Sequence, residues 1–380
     1  MSAETKIPFN KPCVLGNEIA RMSAALDTNV ISGDGKFTKA CHDLIEKELG
    51  VKKALLTTSC THALEMSALL LDLKAGDKVI VPSFTFVSSV NAYVLRGVTP
   101  VFADIRRDTL NLDETRLEAL ITPRTKAILV VHYAGVACEM DAIMAIANKH
   151  GVPVIEDNAH GFFGKYRDRW LGTIGIFGTQ SFHETKNFTC GEGGALLIND
   201  DRFTERAEII REKGTNRSRF FRGMVDKYSW VDIGSSFLPS DMLAAFLLCQ
   251  LEQREQIQAR RCAIWHTYDH ELAAWAAETG AQRPHIPAHC QAAWHMYYLI
   301  MPTLAVRTEF IAHLRARGIH SVFHYLPLHL SDMGLKYGGK TGDCPVTEDV
   351  SDRLVRLPFF YNLTENEQAE VIAAVREFKK

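Results

Sequence analysis

The chain has 380 residues, enough for two domains at roughly 150 residues each, or for one large domain with an appendage. It is 47% hydrophobic and 23% charged, which excludes wholesale disorder. Lys+Arg 43 against Asp+Glu 45 leaves a net charge of -2, so there is no basic excess for a nucleic acid or an anionic membrane, though a local basic patch suits a small phosphorylated ligand.

In chain order, the opening Met1-Ser-Ala-Glu-Thr-Lys has no apolar core of signal-peptide length. The nine cysteines include no C-x-x-C pair, so zinc-ribbon and redox-pair readings lose support and reduced, mostly buried thiols are expected. Thr57-Thr-Ser-Cys-Thr-His-Ala63 opens a helix with Ala63, Leu64, Leu70 and Leu71 on its apolar side. Buried strands are predicted at Lys78-Val-Ile-Val-Pro82, Pro100-Val-Phe-Ala-Asp104 and Ala127-Ile-Leu-Val-Val-His132. After a helix over Met140 to His150 come strands at Val152 to Asp157, Thr179 to His183 and Gly194 to Ile198. Continuous apolar runs of this length fit strands covered on both faces, so the fold class is α/β with a mainly parallel sheet.

Beyond residue 240 the spacing changes. Met242 to Tyr268 reads as one long amphipathic helix, followed by Met296 to Met301, Phe310 to Arg317, a strand at Ser321 to Tyr325 and a surface loop at Tyr337 to Pro345. Thr364 and Glu367 form a capping box for a last helix through Val371, Ile372 and Val375. The expected organisation is a large α/β domain over 1–250 and a smaller α+β domain over 251–380. The longest apolar runs, Ala127 to Val131 and Leu243 to Cys249, fall far short of the roughly 20 residues of a membrane span, and a cytoplasmic protein is expected.

Ligands of such a sheet sit beyond the carboxyl ends of its strands. Asp157 ends a strand in Glu156-Asp-Asn-Ala-His160, and Lys186 follows the next in Ser181-Phe-His-Glu-Thr-Lys-Asn187. Gly191-Glu-Gly-Gly194 allows close backbone approach, and the helix start at Thr57 to Thr61 suits one phosphate. Singly, the aspartate reads as a cap, the lysine as solvated and the threonines as a helix start. Together they match what pyridoxal phosphate requires: a lysine for the imine, a carboxylate for the ring nitrogen, a phosphate cup and a flat cover. The lysine, displaced by an incoming amine, then becomes the base that moves the α-proton.

With Pro82-Ser-Phe-Thr-Phe-Val87, these strings resemble the DegT/DnrJ-type sugar aminotransferases, which share the fold of aspartate aminotransferase (fold type I). The similarity runs from about Ile7 to the end. It is nearest the dTDP-4-amino-4,6-dideoxygalactose transaminases through Gly33-Asp-Gly35, His132-Tyr-Ala-Gly-Val-Ala-Cys-Glu-Met-Asp141, Glu212-Lys-Gly-Thr-Asn-Arg217, Asp226-Lys-Tyr-Ser-Trp230 and Leu357-Pro-Phe-Phe-Tyr-Asn362. The resemblance implies that Lys186 links the cofactor and Asp157 pairs with its ring nitrogen. It further implies that His160 approaches the ring hydroxyl, Phe86 covers the ring, and Thr61, the His62 backbone and Ser181 hold the phosphate. Asn158, the length of the Lys186 to Gly193 loop and Leu238 depart from the family pattern.

For a nucleotide-sugar substrate the candidates are Asn216, Arg217, Arg219, Lys227, Tyr228, Trp230, His324, Tyr325 and His329; a solvated basic loop is the plainer reading of the arginines. His320, His324 and His329 are not expected to bind metal, because Ser321 to Tyr325 reads as strand and Pro327 interrupts any helix. The implied reaction transfers the amino group of L-glutamate to dTDP-4-dehydro-6-deoxy-D-glucose, giving dTDP-4-amino-4,6-dideoxy-D-galactose and 2-oxoglutarate. The implied setting is a homodimer serving surface polysaccharide synthesis, of the lipopolysaccharide or enterobacterial common antigen kind. The gluco epimer, amination at C3, and a non-catalytic regulator that binds the cofactor or a sugar remain open. Lys186 argues against the related dehydratases, which typically carry histidine there.

Overall fold

The computed structural model describes residues 5–379; most of the opening segment weighed above as a leader lies outside them. Nine strands precede residue 200: β1 (Lys53–Thr57), β2 (Lys78–Pro82), β3 (Thr99–Ala103), β4 (Thr125–Val131), β5 (Val154–Asp157), β6 (Lys165–Tyr166), β7 (Arg169–Trp170), β8 (Phe177–Ser181) and β9 (Gly194–Ile198). Seven make one sheet in the order β1-β9-β8-β5-β4-β2-β3. The neighbours β8/β5, β5/β4, β4/β2 and β2/β3 are parallel, whereas β9 runs antiparallel to both β8 and β1. This is the mainly parallel sheet of fold type I.

Alternation along the strands explains why the runs are apolar throughout. Val79, Val81, Leu129 and Ile155 turn to one face, where the helix Cys60–Leu70 covers them with Ala63, Leu64 and Met66. Ile80, Ile128, Val130 and Val154 turn to the other, beneath Met140, Ile143 and Ala147 of the helix Met140–His150. Each fully buried aliphatic side chain is worth about 1.5–3 kcal/mol relative to exposure, so neither face tolerates a polar stripe.

Two expectations are corrected. Met242 to Tyr268 is two helices, Asp241–Glu252 and Arg254–Glu271, parted at Gln253 (φ -105°, ψ 21°). The first buries Ala244, Ala245, Leu247 and Leu251 against the sheet side of the molecule, while Ile264, Trp265 and Tyr268 of the second enter a separate C-terminal core. A straight helix presents one stripe and cannot serve two cores. Ser321 to Tyr325 is not a strand: Val322 forms an isolated bridge with Arg356, and the segment otherwise runs extended without a ladder. The edge it would join belongs to β11 (Leu354–Arg356), only three residues long and paired on its other side with β10 (Tyr298–Ile300). The reading of Thr364 and Glu367 holds, with both capping-box bonds present at the helix Glu365–Glu377. All nine cysteines are free thiols. Among the described residues no helix is long and apolar enough to cross a membrane.

Candidate active site

The carboxyl ends of β5 and β8 lie side by side, with Asp157 in register with Thr179. Behind this edge the Glu156 side chain, fully buried, accepts backbone N–H bonds from Gly172 (2.8 Å), Ile174 (2.6 Å) and Gly175 (2.7 Å) and pairs with His132 Nε2 (2.9 Å). The Cys138 N–H donates to His132 Nδ1 at 3.1 Å, which leaves the imidazole proton on Nε2, facing the carboxylate. Asn158 is tied into the same edge. Its N–H reaches Thr179 O (2.9 Å) and its side chain reaches Leu171 O (2.9 Å) and Gln180 Oε1 (3.1 Å).

Asp157 itself is buried. Its Oδ2 accepts from Ser89 Oγ at 2.6 Å and its Oδ1 from the Ala159 N–H at 3.1 Å. Burial pushes its carboxyl above the usual range, while those two donors and the charge of Lys186 pull it back. Ser89 is held in turn by Thr85 Oγ1 at 2.8 Å. Its neighbour Ser88 accepts from Thr61 Oγ1 at 2.8 Å, so the helix start and the strand-end carboxylate are tied through one serine pair.

At that helix start Ser59 is the N-cap, accepting from the His62 N–H at 3.1 Å; such a cap contributes about 1 kcal/mol. Thr58 Oγ1 pairs with His62 Nδ1, and the His62 ring meets Phe237 edge-on at 5.2 Å. Gly194 lies opposite both Thr57 and Ser181 in the sheet. A Cβ there would sit 2.4 Å from Cys60 N, so only glycine lets β9 abut the helix start. Thr61 and His62 thus open a helix whose start abuts Gly194, the partner of Ser181 in the sheet.

Lys186 leaves the end of β8 on a loop closed by Phe182 N to Gly193 O (2.8 Å) and Cys190 N to Phe182 O (3.0 Å). Among the described residues its ammonium makes no hydrogen bond or ion pair. Burial lowers its pKa to about 8, against the pull of Cys60 and Asp157. The next residue anchors the loop: Asn187 Nδ2 donates to Ala293 O (2.6 Å), and Asn187 Oδ1 pairs with His295 Nδ1 (2.8 Å).

Above this floor stands a column of imidazoles. His160 stacks on His295 at 4.2 Å and 17°, and His324 lies 6.1 Å from His160 at 26°. Tyr325 Oη is 3.4 Å from His160 Nε2, and Tyr133 Oη pairs with His324 Nδ1 at 2.9 Å. Burial drives all three imidazoles well below their ordinary pKa, so they stand neutral. His160 Nδ1 is buried without a partner among the described residues. Phe86 is 57% exposed, its ring 6.4 Å from that of Tyr325.

The other substrate candidates are not gathered here. Asn216 closes a surface arm by accepting from the Ser229 N–H at 2.8 Å, beside the short helix Arg217–Phe221. Arg217 meets Glu212 at 3.8 Å and stacks on Phe221 at 5.1 Å, and Arg219 meets Glu205 at 3.1 Å. Lys227, Tyr228 and Trp230 are exposed, Trp230 by 79%. His329 must be set apart from any ligand role: it is fully buried, with Nδ1 on Ser83 Oγ (2.6 Å) and Nε2 on Glu348 Oε1 (3.0 Å). Both ring nitrogens are spoken for. Reading the sequence alone misses Ser89, Tyr133, Asn187 and His295; only Asn187 carried a signal, as the immediate neighbour of Lys186.

The chain matches the model of the DegT/DnrJ/EryC1/StrS aminotransferase family over residues 12–376. The spore coat polysaccharide biosynthesis protein SpsC of Bacillus subtilis is 32% identical, over 98% of this chain and 97% of its own. Spr1654 of Streptococcus pneumoniae, solved in a PLP-form and a PMP-form, is 26% identical; the PMP-form superposes with a TM-score of 0.91 over 98% of both chains. DesV of S. venezuelae, solved in complex with a ketimine intermediate, is 30% identical with a TM-score of 0.88, covering 99% of this chain and 98% of its own. The chain belongs to the DegT/DnrJ/EryC1/StrS aminotransferase family.

Proposed function

We propose that the chain is a pyridoxal-phosphate-dependent aminotransferase that converts dTDP-4-dehydro-6-deoxy-D-glucose and L-glutamate to dTDP-4-amino-4,6-dideoxy-D-galactose and 2-oxoglutarate. The observation that carries the cofactor reading is a buried carboxylate, Asp157, and an unpaired lysine, Lys186, each within the other's electrostatic reach at neighbouring strand ends. The unpartnered His160 Nδ1 and the capped helix start fit the same group. When bound, pyridoxal phosphate supplies an electron sink and a carbonyl that carries an amino group from donor to acceptor.

The residues divide the work. Asp157, whose ionised form Ser89 and the Ala159 N–H favour against the effect of burial, would hold a proton on the ring nitrogen. Lys186 would fix the cofactor and, once displaced, act as base; with a pKa of about 8 a useful fraction is neutral near physiological pH. Neutral His160 would meet the ring hydroxyl, Phe86 would cover the ring, and Thr61, the His62 backbone and Ser181 would hold the phosphate. His324 and Tyr325 would border the sugar, with Asn216, Arg217, Arg219, Lys227, Tyr228 and Trp230 meeting the nucleotide diphosphate from an exposed arm. Exposed Ile19, Phe86, Val87 and Trp230 support a homodimer with its sites at the interface. The choice of sugar rests on the sequence strings that resemble the 4-amino-4,6-dideoxygalactose enzymes, and surface polysaccharide synthesis in the cytoplasm follows from it.

The test is incubation with glutamate and a panel of dTDP-, UDP- and GDP-ketosugars, with NMR of the product. The expected product is the C4 amine of galacto configuration. A C3 amine or the gluco epimer would replace the named activity, and 2-oxoglutarate appearing with none of the ketosugars would remove it.

A further inference from the structure

Where β2 ends, the C-terminal part of the chain grips the large sheet through three polar side chains. Ser83 and His329 are fully buried, and the Glu348 side chain is 20% exposed. Ser83 Oγ meets His329 Nδ1 at 2.6 Å, and His329 Nε2 meets Glu348 Oε1 at 3.0 Å. A carboxylate only accepts, so the ring proton lies on Nε2 and the Ser83 hydroxyl donates to Nδ1. Glu348 Oε1 also accepts from the Gly342 N–H at 2.8 Å. Serine, histidine and a carboxylate in that order can serve as nucleophile, base and orienter, but no substrate reaches a fully buried hydroxyl.

These bonds lock two stretches of backbone in one register. Ser83 O accepts from the Leu328 N–H at 3.0 Å and Ser83 Oγ from the His329 N–H at 3.2 Å, while the Ser83 N–H donates to Ala103 O at 2.9 Å. From Ser83 the chain runs through Phe84, Thr85 and Phe86 into the helix Ser88–Val94. Thr85 Oγ1 pairs with Ser89 Oγ at 2.8 Å, and Ser89 Oγ donates to Asp157 Oδ2 at 2.6 Å. The partner stretch carries His324 and Tyr325 just ahead of His329; the Tyr325 ring lies 5.7 Å from that of Phe84 and 6.4 Å from that of Phe86. Apolar side chains could fill the same space but would fix no register. Burying polar groups is costly unless each is bonded, and here each is.

We infer that His329 is a positioning residue for the Asp157 end of the site. Through Nδ1 and Ser83 it fixes the turn over residues 83–89, which supports the Asp157 carboxylate and carries Phe86. It also joins that turn to the segment bearing His324 and Tyr325. The inference rests on the transamination reading above, in which Asp157 meets the cofactor.

The test splits the imidazole. Asparagine puts an amide where Nδ1 stands and keeps a partner for Ser83; glutamine reaches toward Glu348 and leaves Ser83 unpaired. In the cofactor-stripped protein His329→Gln is expected to quicken amide hydrogen exchange over residues 83–89 about tenfold or more. Pyridoxal phosphate uptake by the same protein, followed by absorbance, should weaken about 3- to 10-fold. In the loaded protein kcat should fall by about the same factor, with the KM for glutamate changed by less than about twofold. His329→Asn is expected to recover most of each loss. Equal losses in the two variants, a larger loss in His329→Asn, or unchanged exchange in His329→Gln overturns the assignment. Should His329→Gln fail to fold, Ser83→Ala, which removes a single hydroxyl, must show the same exchange and uptake losses, and wild-type values overturn it. A wild-type chain that takes up no cofactor refutes the roles given to Asp157 and Lys186 instead; one that takes it up while both variants behave alike refutes only this inference.

Discussion

The strand-end cluster around Asp157 and the arm from Asn216 to Ile233 are built on opposite plans. Asp157 has two donors on its carboxylate and a floor of four contacts on the adjoining Glu156. The arm presents Phe221, Met224, Tyr228, Trp230 and Val231 to solvent and anchors its arginines through partly exposed ion pairs, each worth about 0–1 kcal/mol. On the reading proposed above, the groups that would hold a small rigid cofactor are set by the sheet before any ligand arrives. Groups suited to a long flexible substrate wait for something to cover them.

The contrast can be broken most severely at the lysine. Lys186→Ala is expected to abolish turnover, a loss of at least about 10²- to 10⁴-fold in 2-oxoglutarate formation; full activity would refute the assignment of the base. Asp157→Asn should cost about 10²-fold in kcat with little change in fold by circular dichroism. Ser89→Ala should act in the same direction but more weakly, about tenfold, because one charge-assisted bond is lost from a carboxylate that burial already pushes up. The fall should be steepest at low pH, where the less supported carboxylate protonates first.

A pH series sharpens the picture without mutation. A lysine lowered to about 8 from 10.5 is mostly neutral above that pH, so covalent cofactor uptake by the stripped protein should climb with pH through a midpoint near 8 and level off about one unit above it. Levelling only above pH 10 would mean an ordinary solvated lysine. The smallest effects belong to the arm: Arg217→Ala and Arg219→Ala should change stability by less than about 0.5 kcal/mol, read as a thermal midpoint. Their effect should fall on the KM for the nucleotide sugar and not on the half-reaction with glutamate.

Much of the fold was legible because local pattern and tertiary role agree. The helix Met140–His150 and strands β2 and β9 lie where the sequence places them, bounded by residues that end them. The break at Gln253 was hidden because helical periodicity continues through it; what changes is which core the stripe faces. Asp157 announces itself at a strand end and Lys186 on the loop that follows the next strand. Tyr133 and His295 do not, since each reaches the site from a different element and a sequence shows no ring stacking. His329 shows the converse error, a histidine in a suggestive cluster whose nitrogens are already taken by Ser83 and Glu348.

The bonds from Asn187 to Ala293 and His295 span more than a hundred positions of chain. During synthesis the ribosome delivers residue 186 long before the atoms that aim it exist. A growing polypeptide thus carries that lysine unaimed, and on the proposed reading vitamin capture becomes an act of the finished molecule.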